Sequence, residues 1–366
     1  MTIYVFYNND PLASDQGGGA EHLRGIYRAL NRTDKSFKLV SSKMQDKYDS
    51  KDVEYISNGA NIMLFFMAMF VWFFKNKSSL TESDVFHFHR NYTVWPKFLV
   101  IGKRGKTIIT YHNHTGKILE DWFGGWVASV VRNIMLRFER SAVSLVDRVI
   151  FVSDGVRQQL KREVIRSNYN KTVVIPAAFD SSAFEGCSTA EAELANRIVV
   201  IGRLASIKNF NLAIETLEFL CAEGHQYYLT IVGDGELRDE LEKKVGASKF
   251  KENIIMYGLA EHSEIREIIA KHGIVMVSSK FEASPTIVKE GIASMRPIVT
   301  TDVGDVDLWI KEGVNGYICN HTAESLGSAI KQASNLILEG GYKQSVDLNE
   351  FSELTIMNKL IEQYTF

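Results

Sequence analysis

Glu282 and Glu290 stand eight positions apart in the stretch Phe281-Glu282-Ala283-Ser284-Pro285-Thr286-Ile287-Val288-Lys289-Glu290-Gly291. The apolar run before it, 274–279, reads as a buried strand. Ser284 and Thr286 are helix N-cap residue types, and Pro285 suits a first helical position, so a helix is expected to begin here. A helix start offers unpaired N–H groups and the positive end of the dipole, which together hold anions. Glu282 would precede that site and Glu290 would lie about one turn inside the helix. Ionised carboxylates only accept hydrogen bonds, so sugar and ribose hydroxyls would donate to them while phosphate takes the N–H groups. The same residues also describe a solvated face of an ordinary doubly wound domain, so this reading needs support elsewhere.

Arg203 and Lys208 supply some of it. They follow the strand-like run 197–201 and Gly202. Glycine admits a close ligand, Arg203 can grip a diphosphate bidentately, and Lys208 adds a point charge. Together they could stabilise a departing nucleotide diphosphate; two surface cations after a strand are the plainer alternative. Gly233-Asp234-Gly235 is a tight strand exit, and Gly17-Gly18-Gly19-Ala20-Glu21 joins the first strand to a helix. The glycine run can admit a phosphate or sugar, or serve as a turn. Neither completes G-x-G-x-x-G, which counts against a dinucleotide cofactor. His87, His89, His112 and His114 end two strand-like runs, but no Glu or Cys completes a zinc spacing. Hydrogen bonding to a sugar or an acceptor is the expected use of these histidines.

The elements that must position these residues alternate regularly. Strands are expected at 3–7, 37–41, 85–89, 107–111, 148–152 and 172–175, with helices at 21–30, 60–74, 123–144 and 154–162. A polar stretch without strand signal follows. The alternation then resumes, with strands at 197–201, 228–232, 254–257, 274–277 and 298–301. Helices are expected at 210–223, 236–245, 263–271, 287–294 and 323–338. This argues two doubly wound parallel-sheet domains facing across a cleft, with ligands at the carboxyl ends of the strands. The expected division is a first Rossmann-like domain 1–180, a linker 181–196, a second Rossmann-like domain 197–350 and a C-terminal helix 351–366 packing back on the first domain.

The 366 residues suit two domains, and 45% apolar with 23% charged residues allows substantial cores. Three scattered cysteines fit reduced thiols in a cytosol. The first residues read as a strand and not as a signal peptide. Residues 1–180 hold 25 Lys/Arg against 17 Asp/Glu, and residues 181–366 hold 17 against 27, net +8 and −10. The halves should therefore meet different partners. The run 62–74 is apolar throughout and edged by Lys75 and Lys77. It is too short to span a bilayer and fits a core helix or an interfacial patch on an anionic membrane.

As an ordered series these motifs resemble the GT-B glycosyltransferases, and among them the retaining glycosyltransferase family 4 (group 1). Gly18-Gly19-Ala20-Glu21, Asp84-Val85-Phe86-His87-Phe88-His89, Thr110-Tyr111-His112-Asn113 and Val146 to Ser153 match its first-domain motifs. Gly202-Arg203-Leu204 with Lys208 matches G-R-L-x-x-x-K, and Glu282 to Glu290 is its E-x₇-E. The resemblance implies that Arg203 and Lys208 hold the donor diphosphate, Glu290 the ribose, and Glu282 the sugar. It gives Ser284, Pro285, Thr286 and Ile287 to phosphate, His112 to the sugar near the reacting carbon, and Gly18 and Gly19 to the border of donor phosphate and acceptor. Leu259 and Ala260 align with the base-binding loop. The resemblance would also make the first domain the acceptor domain and the second the nucleotide-sugar domain. The family needs no divalent metal or other cofactor. Departures include Ala283-Ser284 for the usual Gly-Phe, Gly291 for Ala, and Met295 for a glycine before Arg296-Pro297.

The expected activity is transfer of a sugar from a nucleotide diphosphate, UDP by family habit, to a hydroxyl on a lipid-linked or cell-surface glycan, with anomeric configuration retained. The enzyme would be cytoplasmic and peripheral at the inner membrane face, with no nucleic-acid partner. A nucleotide-sugar epimerase on the same fold and an inactive sugar-nucleotide-binding scaffold are the rival readings.

Overall fold

The computed structural model describes residues 1–10, 17–43, 50–59, 61–112, 125–177, 179, 184–344 and 346–365. His114, residue 180 and residues 181–183 of the expected linker lie outside them. Contacts divide the chain into two units, Met1–Ala178 with Glu353–Phe366, and Phe179–Ser352.

The first unit is a seven-stranded parallel sheet. Its strands are β1 (Thr2–Tyr7), β2 (Ser36–Lys43), β3 (Val53–Asn58), β4 (Val85–Phe88), β5 (Lys106–Tyr111), β6 (Arg148–Phe151) and β7 (Thr172–Val174), in the order 3-2-1-4-5-6-7. Its helices are α1 (Gly17–Asn31), α2 (Ile62–Asn76), α3 (Trp95–Ile101), α4 (Gly125–Leu145) and α5 (Asp154–Leu160). Neither β3 nor α3 was expected. At the edge of the sheet, β3 is mostly half-buried, and Glu54, Ser57 and Asn58 break the apolar run a central strand would show.

The tail completes this unit. Its helix, Glu353–Glu362, places Ile356, Met357 and Leu360 in the core beside Leu23, Ile26 and Ile108. Arg28 donates through Nε to both oxygens of Glu353 at 3.0 Å, and Tyr364 reaches Nδ1 of His87 at 2.9 Å. The chain therefore crosses back after the second unit, as the helical spacing and the resemblance implied.

The run 62–74 resolves into two faces. Asn61 caps α2 by accepting from the N–H groups of Met63 and Leu64. Phe65, Met69, Trp72 and Phe73 are buried, with Phe6 stacked against Phe73 and edge-on to Trp72. On the opposite side Met63, Leu64, Met67, Val71 and Phe74 are each more than half exposed. Spacings of three and four residues place them in one stripe. Lys77 sits 4.4 Å from the Phe74 ring centroid. Among the described residues no helix is long and apolar enough to cross a membrane.

The second unit is a six-stranded parallel sheet: β8 (Arg197–Ile201), β9 (Tyr228–Val232), β10 (Ile254–Gly258), β11 (Ile274–Val277), β12 (Ile298–Thr301) and β13 (Gly316–Cys319), in the order 10-9-8-11-12-13. The helices are α6 (Phe210–Ala222), α7 (Arg238–Ala247), α8 (Ile265–Ala270), α9 (Thr286–Ala293) and α10 (Ala323–Leu338); with them the tail helix becomes α11. Strand alternation sends Ile198, Val200 and Met276 into one core with α6 and α10. Val199, Val275 and Val277 go into another with Ile287, Val288 and Trp309. Met295, where a glycine was expected, takes φ 57°, the left-handed conformation glycine adopts freely.

Candidate active site

In the second unit the strand order reverses between β8 and β11, and ligands of such sheets gather at the carboxyl ends beside that reversal. Both strand ends feed the expected site. The loop after β8 carries Gly202, Arg203 and Lys208, and the loop after β11 carries Ser278 to Pro285. The two are stitched together by Lys280 N–H donating to the Ile207 carbonyl at 2.8 Å and by the Ser278 hydroxyl donating to the Lys208 carbonyl at 3.0 Å. Lys208 forms an ion pair with Glu282, and the Ser279 hydroxyl donates to the same carboxylate oxygen at 2.9 Å. Both ionic side chains are mostly buried. They line a small cavity with Val200, Ser278, Ser279 and Ile287.

Arg203 lies differently. Its side chain is 75% exposed and donates from Nε to Glu236 at 3.1 Å. The structure thus brings Lys208 and Glu282 together and holds Arg203 on another carboxylate. The backbone beneath is tight. Leu204 N–H donates to the Asp234 carbonyl at 2.9 Å, and Gly233 N–H to the Gly258 carbonyl at 2.7 Å. Leu259 and Ala260 follow that crossing; Leu259 is exposed, while Ala260 packs against the core.

The expected helix start is present, with a correction. Pro285 is the N-cap of α9, and among the described residues no side-chain cap bond is made there. Ser284 and Thr286 were expected as caps. Thr286 is instead the first helical residue, and the Ser284 hydroxyl accepts from Lys289 Nζ at 3.0 Å. An uncapped first turn keeps its N–H groups for an anion. Glu290 is buried on this helix, 7% exposed.

In the first unit the reversal lies between β1 and β4. His89 N–H donates to the Phe6 carbonyl at 3.1 Å, and His89 Nδ1 meets Nε2 of His112 at 2.9 Å. His22, on α1, sits 5.5 Å and 5.2 Å from the two rings, centroid to centroid. Gly18 and Gly19 lie in the first turn of the same helix. His87 is used otherwise: its ring nitrogens bond Thr110 at 2.7 Å and Tyr364 at 2.9 Å. Burial drives the pKa of His87 down to about 3, with His22 adding to the shift. Burial first, then the neighbouring rings and Arg90, pushes His89 and His112 well below the ordinary histidine value. These imidazoles are therefore neutral at physiological pH and act by hydrogen bonding. The nitrogens of His22, His89 and His112 lie within 4.8 Å of one another, a grouping that could hold a metal ion. His22 was missed, since it is found only once the phase of α1 is known.

Residues 16–183 match the sequence model of Glycosyltransferase Family 4, and residues 188–342 match that of Glycosyl transferases group 1. The chain belongs to the group 1, family 4 glycosyltransferases. Its two parallel sheets make up the GT-B fold. This glycosyltransferase is 26% identical to alpha-D-kanosaminyltransferase of Streptomyces kanamyceticus over 49% of each chain, so the match spans about half of that relative. It is 21% identical to the phosphatidylinositol N-acetylglucosaminyltransferase GPI3 subunit of Saccharomyces cerevisiae, over 96% of this chain and 80% of the relative. Among solved structures, sucrose-phosphate synthase from Thermosynechococcus elongatus superposes with a TM-score of 0.78 at 18% identity, covering 100% and 98% of the two chains. HepE from Anabaena, solved with UDP-glucose, superposes at 0.72 with 16% identity, covering 100% and 99%.

Proposed function

We propose that this glycosyltransferase moves a sugar from a UDP-sugar to a hydroxyl of a lipid-linked or cell-surface glycan, with retention of anomeric configuration, at the cytoplasmic face of a membrane. The observation that carries the reading is the Lys208–Glu282 pair beside the uncapped start of α9. A cation and open N–H groups suit a diphosphate, and a carboxylate beside them suits sugar hydroxyls. Arg203 leaves Glu236 for the diphosphate, and Glu290 accepts from the ribose. Ser284 to Ile287 offer N–H groups, Pro285 having none. Leu259 and Ala260 flank the base, Gly18 and Gly19 border the donor phosphate, and His112 hydrogen-bonds the sugar as a neutral imidazole. The bond from the anomeric carbon to the diphosphate breaks as the acceptor oxygen bonds the same face, and the acceptor proton passes to the departing phosphate oxygen. Charge on the leaving group is met by Arg203 and Lys208, so the reaction calls for no metal or other cofactor. The UDP-glucose complex of HepE and the phosphatidylinositol named for the yeast relative support the donor and the lipid-linked acceptor.

A thermal-shift panel of nucleotide sugars, followed by product analysis with and without a lipid-linked acceptor, tests this. UDP-sugars should raise the melting temperature, and hydrolysis-resistant product should form only with acceptor. Isomerised nucleotide sugar without acceptor would mark an epimerase, and tight binding without turnover a scaffold.

The apolar stripe of α2, edged by Lys75 and Lys77, supports the membrane location. Binding to phosphatidylglycerol-containing vesicles should be salt-sensitive. It should fall by roughly tenfold or more when Leu64, Met67 and Val71 are all changed to serine, because each buried apolar side chain contributes on the order of 1 kcal/mol. Sedimentation with and without such vesicles is the check, and equal pelleting of both proteins refutes the location.

A further inference from the structure

Lys289 lies four positions into α9 and is fully buried. Burying an ammonium is costly unless it is paired and hydrogen-bonded. Its Nζ donates to the Ser284 hydroxyl at 3.0 Å and stands 4.6 Å from the centroid of the Trp309 ring. The carboxylates of Asp305 and Glu290 act on it electrostatically. Asp305 is itself 3% exposed, and among the described residues neither of its oxygens closes a hydrogen bond. Lys289, Ser284 and Trp309 nevertheless stabilise its charge.

The segment carrying Asp305 lies against the donor turn. Gly304 has φ +63°, and a Cβ there would come 2.7 Å from the Ala283 carbonyl oxygen and 2.9 Å from that of Glu282. The turn holding Glu282 is therefore gripped from two sides. The segment after β12 presses on its backbone, and Lys289 holds the Ser284 side chain from beneath. We propose that Lys289 and Asp305 form a buried positioning pair that fixes the 282–286 turn in its diphosphate-binding shape and so sets affinity for the nucleotide donor.

Neither group need touch the donor, and the proposal rests on the donor reading of this same site. Burial holds Lys289 down to about 8, against 10.5 for an ordinary lysine, while Asp305 and Glu290 work the other way. With the folded value below the unfolded one, the charge costs stability below pH 8, and that cost lifts as pH rises toward 10.5. The fold therefore does not keep this ammonium for stability. Charged, Nζ donates to Ser284 more strongly than a neutral amine would, and Asp305 acts on that charge electrostatically.

The test is calorimetric titration of the full chain with UDP across pH 7 to 9.5. UDP affinity of the wild type should weaken several-fold as pH passes about 8. Lys289→Met and Asp305→Asn should each weaken binding by roughly tenfold at pH 7, with the double variant no worse than the weaker single, since coupled residues are non-additive. The Lys289→Met variant should also lose the alkaline step. A lowered melting temperature with unchanged UDP affinity in the folded variants would overturn the pair's role, as would a flat wild-type pH profile if the variants fail to fold. Failure of the wild type to bind UDP at any pH would instead overturn the donor reading.

Discussion

Transfer by a Lys208→Met variant is expected to fall by roughly 10²–10³-fold in kcat, the cost of removing one charge-stabilising donor from a preorganised site. Lys208 is the one of the two expected cations already paired with Glu282, and the Ser278 hydroxyl holds its carbonyl. Methionine keeps the length of the aliphatic stem, so packing against the cavity wall is largely preserved. Glu282 keeps the Ser279 hydroxyl as donor, which limits the cost of leaving the carboxylate without its cation. Glu282→Gln should lose less, because an amide still accepts from a sugar hydroxyl. The double variant should be no worse than Lys208→Met alone, because groups that act as a unit are non-additive. Initial rates with UDP-sugar and acceptor, alongside the melting temperature, separate chemistry from stability. Turnover within tenfold of wild type in Lys208→Met would falsify the assignment of this site to the donor diphosphate.

The pairing behind that expectation was legible because the strand–helix alternation places β8 beside β11, so residues just past both strand ends must converge. What the residue types could not settle was which acid each cation meets. Arg203 and Lys208 look equivalent as a pair after one strand, yet Arg203 extends into solvent to Glu236. Ser284 was misread for a related reason. Its type favours capping, but Pro285 takes the N-cap position and a buried ammonium claims the hydroxyl. Lys289 looked like any helical lysine; its burial follows from the phase of a helix lying between the sheet and Trp309, which no local pattern encodes. His22 escaped for want of a helix phase. The strand β3 escaped because Glu54, Ser57 and Asn58 interrupt its apolar run, and β13 because it is four residues long and opens on Gly316.

The largest loss of stability is expected from Gly233→Ala. This residue follows the β9 strand at φ +140°, and a Cβ there would lie 1.9 Å from the Gly202 carbonyl oxygen. That contact is with backbone, so no side-chain rotation relieves it; β8 and β9 would have to part at their carboxyl ends. The neighbouring bonds would suffer with it, from Gly202 N–H to the Val232 carbonyl at 3.0 Å and from Gly233 N–H to the Gly258 carbonyl at 2.7 Å. A clash of this kind, added to a backbone conformation that side chains rarely adopt, belongs with the changes that cost about 4 kcal/mol or more. For a unit of this size that corresponds to a fall of roughly 10 °C in the second unit's melting temperature. Gly246→Ala is the control. It lies in α7, where an added Cβ meets nothing within 4 Å, and alanine should be neutral or stabilising by up to about 1 kcal/mol. Differential scanning calorimetry of both variants decides it. Equal melting of the two would mean that the strand ends carrying Arg203 and the Gly258 turn are not packed as closely as the structure shows. The tightness matters for function, because loops anchored on backbone separated by one van der Waals contact have little room to drift, and Lys208 hangs from one of them.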